Sequence, residues 1–229
     1  RNGRSIIHSC FLFFIYFFQN VFIIYNKILI NFYGSIMNEK DLSVLRHSAA
    51  HLLGHAVKQL FPSTLLTIGP ATKEGFFYDF LPEKNFKDED LVRIEERMHE
   101  LSHQNIPLTH KQISKDEART IYKDNPFKHE LINDIPGDTV GLAEQGDFYD
   151  LCRGGHVHST GDIKHFKLLF SSGSYWRADK DKQALQRITG TVFFTQQELD
   201  AFLQQREDAI QFDHRKLGKE LDLFSFHEE

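Results

Sequence analysis

His47-Ser48-Ala49-Ala50-His51-Leu52-Leu53-Gly54-His55 is the stretch on which the reading of this chain turns. Leu42, Leu45, Ala49, Leu52, Ala56 and Leu60 recur at helical spacing, so the segment reads as an amphipathic helix. Asn38 or Asp41 can cap its start, and Pro62 marks its stop. Val44, Ser48, His51 and His55 form a second stripe beside the apolar one. His51 and His55 then stand one turn apart at the edge of the buried face. Two imidazoles so placed can converge on one water, one metal ion or one ester carbonyl.

A second half-site, Asp150-Leu151-Cys152-Arg153-Gly154-Gly155-His156, lies far along the chain. It carries a thiol and an imidazole on either side of a Gly-Gly turn that permits close backbone approach. His51 with His55 gives an HxxxH pattern, and Cys152 with His156 gives CxxxH. Three chemistries fit the pair. The four side chains suit zinc, whose preferred ligands are His and Cys. Cys152 could be a nucleophile activated by a histidine. The histidines could instead activate water, with the thiol shaping the pocket. Spacing does not choose among them. The chain has no Ser-His-Asp elbow, phosphate-binding Gly loop or dinucleotide fingerprint.

Outward from the histidine helix, Leu65–Ile68 and Gly75–Phe80 read as two strands around a turn. Asp88 caps a helix with Leu91, Ile94, Met98 and Leu101 inward and Glu95, Glu96, Arg97 and Glu100 on a solvated outer face. Ile106–Ile113 reads as a strand. Ser114-Lys115-Asp116-Glu117 is a capping box opening a short helix that Asp124-Asn125-Pro126 closes, with Phe127–Leu131 adding a turn or two. Short strands follow Gly137, at Asp147–Cys152, His165–Phe170, Tyr175–Arg177 and Leu185–Phe194. Thr195-Gln196-Gln197-Glu198 is a second capping box, opening a long helix with Leu199, Phe202, Leu203, Ala209, Ile210 and Leu217 on its apolar side. The expected class is α+β: a largely antiparallel sheet packed with helices, followed by a long C-terminal linker helix. The domain plan is an apolar extension over 1–36, a body over 37–194, and a linker segment over 195–229.

The chain is long enough for one large domain or two small ones. Residues 1–36 hold three basic residues and no acidic one, so the remainder has 24 basic and 32 acidic residues, a net charge of −8. An acidic body argues against broad non-specific nucleic-acid binding, though not against a local basic patch. Two cysteines, Cys10 and Cys152, are too few for a disulfide framework and favour a reducing compartment, so a cytoplasmic protein is expected.

Cys10–Tyr33 is mostly Phe, Ile, Leu, Val and Tyr and is long enough for a transmembrane helix. Its Phe, Ile, Asn, Lys and Tyr also match translation of AT-rich upstream DNA. Met37 is therefore expected as the physiological start, with no membrane attachment.

Arg46–His55, Ile68-Gly69-Pro70, Gly75–Asp79, Asp150–His156, His165–Leu168, Gly173–Arg177 and Leu185–Gly190 together resemble the editing domain of threonyl-tRNA synthetases. Asp213–Leu223 resembles the junction at which those enzymes continue into their aminoacylation core. The resemblance spans Met37–Glu229. It implies hydrolysis of mischarged seryl-tRNA(Thr) by water attack on the aminoacyl ester. Such proofreading is needed because one methyl group separates threonine from serine, and a pocket gains only about 1–3 kcal/mol from it. The resemblance matches His51, His55, Cys152 and His156 to the editing residues, Lys128 to a lysine near the reacting ester, and Asp150 to the residue holding the substrate amino group.

It implies no cofactor for editing. Zinc on His51, His55, Cys152 and His156 is the alternative, known from the alanyl branch. ATP, magnesium and a separate zinc belong to the aminoacylation core, which also supplies homodimer contacts. Without that core the chain is not expected to aminoacylate. The implied partner is the 3′ end of tRNA(Thr) carrying serine. The family usually has Arg-Gly-Pro-His where this chain has Arg153-Gly154-Gly155-His156. The competing readings are a free-standing editing protein and an inactive tRNA-binding module with Lys164, Lys167, Arg177, Lys180, Lys182 and Arg187 on phosphates.

Overall fold

The histidine helix is largely buried within the described fold. A computed structural model describes residues 41–211, and from Ser43 onward these belong to one compact unit. The apolar segment 10–33, Met37, Asn38, Leu217 and the junction 213–223 lie outside the described residues.

Helix α1 covers residues 41–60. It is followed by β1 (Leu65–Leu66), β2 (Phe76–Leu81), α2 (Asp88–His103), β3 (Leu108–Ser114), α3 (Lys115–Ile121) and α4 (Pro126–Asp134). Then come β4 (Thr139–Gln145), β5 (Phe148–Leu151), β6 (His165–Tyr175), β7 (Ala184–Phe193) and α5 (Gln196–Gln211). One sheet has the order β1-β2-β7-β6 and the other β3-β4-β5, with every pairing antiparallel. The class is α+β, with the long helix α5 at the end of the described chain.

The two sheets explain why α1 is more buried than its apolar stripe implies. A Cβ on Gly54 would stand 3.1 Å from Leu66 Cδ2, 3.2 Å from the Tyr78 ring and 3.1 Å from the Phe148 ring. Leu66 and Tyr78 belong to the four-stranded sheet, and Phe148 to the three-stranded one. Both sheets therefore press on α1 at this turn, and a side chain here would require these neighbours to give by a few tenths of an ångström. Ala49, Ala50, Leu52, Leu53, Ala56 and Val57 are all fully buried. Each buried leucine contributes roughly 1.5–3 kcal/mol to stability. His51 and His55 lie inside the core at 4% and 1% exposure, not at the edge of a half-buried face.

Other elements follow their sequence signals closely. Leu91, Ile94, Met98 and Leu101 form the buried side of α2. Its cap is Lys87 rather than Asp88, with the Lys87 amide donating to Asp90 at 3.0 Å. Glu95 is not merely solvated: it accepts from the Leu168 amide at 2.7 Å and from Lys167 at 2.5 Å, tying α2 to β6. Ser114 caps α3 by accepting from the Glu117 amide. Asn125 caps α4, with Pro126 at the first helical position. Both halves of the Thr195–Glu198 capping box form. On α5, however, Leu199 alone is buried, and Ile210 is 56% exposed. The segments His165–Phe170 and Tyr175 are one long strand, which ends at Tyr175 because Arg177 and Ala178 turn into left-handed backbone.

Candidate active site

Two segments meet across the end of β5. Helix α1 presents His47 and His51 from successive turns, β5 presents Asp150, and the chain leaving β5 presents Cys152 and His156. One ligand atom from each of His47, His51, Cys152 and His156 lies within 4.8 Å of all the others. The Cys152 sulfur is 2.9 Å from His47 Nε2 and 3.2 Å from His156 Nε2, and it accepts from the Gly154 amide at 3.3 Å. His51 Nε2 is 3.3 Å from His47 Nε2. The three imidazoles lie ring against ring, with centroids 4.8–5.0 Å apart.

His55 is not part of this cluster, and the expected pairing of His51 with His55 is corrected to His47 with His51. His55, one turn further along α1, meets a different set of groups. Its Nε2 is 2.9 Å from Asp147 Oδ1 and from the Gln59 amide nitrogen, its Nδ1 is 2.8 Å from Gln145, and its ring stacks on Phe148. This network fastens α1 to the β4–β5 hairpin. His47 carried the same sequence signal as its partner, since His47-Ser48-Ala49-Ala50-His51 is itself an HxxxH.

Behind the imidazoles lies a buried ion pair. Lys128, 2% exposed, enters from α4 and donates to Asp150 Oδ1, to the Thr67 carbonyl at 2.7 Å, and towards Tyr78 Oη at 3.4 Å. Asp150 also accepts from the Tyr78 hydroxyl and, at 2.8 Å, from the Leu151 amide. Its Oδ2 lies 3.6 Å from His51 Nδ1. Asp150 is thus surrounded by donors from the protein, which its expected role with a substrate amino group did not foresee. Tyr78 was quoted in sequence only as part of a motif. The alternation along β2 turns it inward, where it is fully buried.

Burial sets the charge state. Desolvation lowers His51 to a pKa of about 3 despite the nearby Asp150 carboxylate. It lowers His156 to about 4, and it lowers His47 as well. It raises the Cys152 thiol to about 11. Burial also pushes Asp150 upward, but the Lys128 ammonium, His51 and the hydrogen bonds outweigh it, so the carboxyl ends below its usual range. At neutral pH the cluster holds three neutral imidazoles and a protonated thiol next to a closed ammonium–carboxylate pair.

Three of the six basic residues considered for phosphate contacts are committed to ion pairs. Lys167 pairs with Glu95, Arg177 with Glu130 and Asp134, and Arg187 with Asp79. Among the described residues no helix is long and apolar enough to cross a membrane.

Residues 140–189, which include β4, β5, Cys152 and His156, match the family described as the threonyl and alanyl tRNA synthetase second additional domain. The chain is 48% identical over 187 residues to a threonine--tRNA ligase of Rubrobacter xylanophilus, covering 82% of the chain and 29% of that protein. It is 50% identical over 199 residues to one from Pelobacter propionicus, and 48% over 200 residues to one from Rickettsia akari, covering 85% of the chain in both cases. The chain spans about a third of the length of these relatives. By the motifs, the domain match and these relatives, most of the chain is similar to one part of threonine--tRNA ligases, and residues 140–189 to the second additional domain of threonyl and alanyl tRNA synthetases.

Proposed function

We propose that this chain hydrolyses the ester of seryl-tRNA(Thr), as the editing part of a threonine--tRNA ligase. The observation that carries the proposal is the neutral imidazole cluster closed around one protonated thiol. With a pKa of about 11, only about one Cys152 in ten thousand is a thiolate at pH 7. That argues for water as nucleophile over an acyl-thioester.

Water attack requires an acceptor for the water proton and a donor for the departing ribose oxygen. His51 Nε2 faces the cluster and is the acceptor. A pKa of about 3 makes it a weak resting base, and the Asp150 carboxylate behind Nδ1 offsets the positive charge as the proton arrives. His47, half-buried one turn before His51, is placed to return a proton to the leaving oxygen. Cys152 and His156 wall the pocket, where the extra methyl of threonine would be excluded. Lys128 holds Asp150 in place and contributes positive potential to the developing oxyanion.

Zinc is the second reading, favoured by the mutual closeness of one nitrogen from each of His47, His51 and His156 and the Cys152 sulfur. Three of these side chains would hold a tetrahedral zinc with its fourth position open to water, and the metal would then supply Lewis acidity and a more acidic bound water.

The test is deacylation of Ser-tRNA(Thr) and Thr-tRNA(Thr) by the chain, before and after chelation, with elemental analysis. The expected result is selective release of serine that survives chelation, with less than one equivalent of zinc. Equal loss of both amino acids, or no hydrolysis at all, refutes editing. Stoichiometric zinc whose removal abolishes activity moves the mechanism to metal chemistry. A seryl-thioester trapped on Cys152 would overturn water attack.

The same assay bears on the free-standing alternative, in which the protein would work on tRNA charged by another enzyme. The resemblance of Asp213–Leu223 to a synthetase junction supports a connected domain instead. The aminoacylation activity, ATP use, dimer contacts and cytoplasmic location of the whole enzyme are part of this proposal and not of the described residues. So is the division into an extension over 1–36, an editing body over 37–194 and a linker from Thr195.

A further inference from the structure

We infer that Asp150 is a positioning residue that fixes the tautomer of His51 and, through it, the proton order of the whole cluster. The inference deepens the proposed hydrolysis and rests on that reading for its kinetic consequence only.

The argument starts from His51 Nδ1. That atom is buried, has no hydrogen-bond partner among the described residues, and faces Asp150 Oδ2 at 3.6 Å, just beyond hydrogen-bond length. A lone pair there would confront a carboxylate in a medium of low dielectric, where the repulsion is poorly screened. A proton there turns the same contact into an attraction, and hydrogen bonds of catalytic groups are often long before substrate binds. Nδ1 therefore carries the hydrogen, and Nε2 presents its lone pair to the cluster.

The rest follows by donor and acceptor matching. With His51 Nε2 an acceptor, the 3.3 Å contact needs a hydrogen on His47 Nε2, which points between His51 Nε2 and the Cys152 sulfur. The sulfur then accepts from His47 and from the Gly154 amide, so its own hydrogen goes to His156 Nε2 at 3.2 Å. Every contact in the cluster has one donor and one acceptor in this order. The reverse order would set the His51 lone pair against Asp150.

The carboxylate itself cannot turn away. Lys128 and the Leu151 amide hold Oδ1, and the Tyr78 hydroxyl holds Oδ2. The same groups leave it poorly placed to anchor a substrate ammonium, the role that the family resemblance gives it. The two roles separate kinetically. An amino-group anchor acts on substrate binding and so on KM. A tautomer-fixing residue acts on proton transfer and so on kcat.

Two measurements test the inference on the full 229-residue chain. The first is nitrogen-15 NMR of histidine-labelled protein at pH 7, with His51 assigned through His51→Gln. The expected spectrum has His51 protonated at Nδ1 and bare at Nε2, and the opposite tautomer overturns the inference. This readout needs no activity, so it stands apart from the fate of the editing proposal.

The second is Asp150→Asn, whose side-chain amide favours a bare Nδ1. The expected result is a kcat for seryl-tRNA(Thr) hydrolysis lowered roughly 10²–10⁴-fold with KM within about threefold. A raised KM at unchanged kcat overturns the inference in favour of the amino-group anchor. Should Asp150→Asn fail to fold, the wild-type tautomer still decides.

Discussion

Replacing His51 by Gln should change how stability depends on pH more than it changes stability itself. In the folded chain, burial holds His51 to a pKa of about 3, against 6.5 for a free imidazole. Above pH 6.5 the group is neutral in both states and has no effect. Below it, the unfolded chain takes up a proton that the folded chain refuses, so folding weakens as pH falls towards 3. Between pH 7.5 and pH 5 the unfolded state gains about 1.5 pH units of protonation free energy, or about 2 kcal/mol at 1.36 kcal/mol per unit. The variant lacks this group, so its loss over the same interval should be smaller by about 2 kcal/mol. His47 and His156 titrate in the same direction, and so does Asp150 at lower pH, but all three remain in the variant and largely cancel in the difference. Urea unfolding at the two pH values and fixed ionic strength measures it. Parallel pH dependences for wild type and variant would refute the claim that the buried imidazole is held neutral.

Other substitutions test the remaining assignments. His55→Ala should cost about 1–3 kcal/mol of stability through the unpaired Gln145, and should change seryl-tRNA(Thr) hydrolysis less than tenfold, while His51→Ala should nearly abolish it. Equal losses of activity would restore His55 to the site. Gly155 has φ +82°, which proline cannot reach, so Gly155→Pro should cost about 1–3 kcal/mol in urea unfolding. Unchanged stability would mean that the turn adopts another backbone without cost.

The choice of the wrong histidine pair has a geometric cause. His47, His51 and His55 are spaced by four residues, so each lies only about 40° round the helix from the next. Local periodicity makes the two pairs equivalent. What separates them is the end of α1 that meets Cys152, and that contact joins residues a hundred positions apart. The second half-site was legible because glycines, thiol and histidine sit within one short turn. The Lys128–Asp150 pair was legible only through the family resemblance, since nothing in Phe127-Lys128-His129 signals a buried ammonium. Tyr78 was missed for the same reason. Glu95 looked like solvated surface because helical spacing says nothing of an amide on β6 that needs an acceptor. The apolar residues Ala209 and Ile210 suggested a buried stripe on α5 that the described fold leaves exposed. Along α2 and at both Ser/Thr caps, by contrast, the determining contacts are local, and spacing sufficed.

The placement of α1 between two sheets bears on time as well as space. A helix with one face in water can open by fraying, exchange its amide hydrogens and close again. At His51 and Gly54 such an opening would require the two sheets to part. Amide exchange there should be as slow as complete unfolding, far slower than at the exposed end of α5. The reacting groups would then spend their native lifetime in one arrangement, and substrate would find them already aligned.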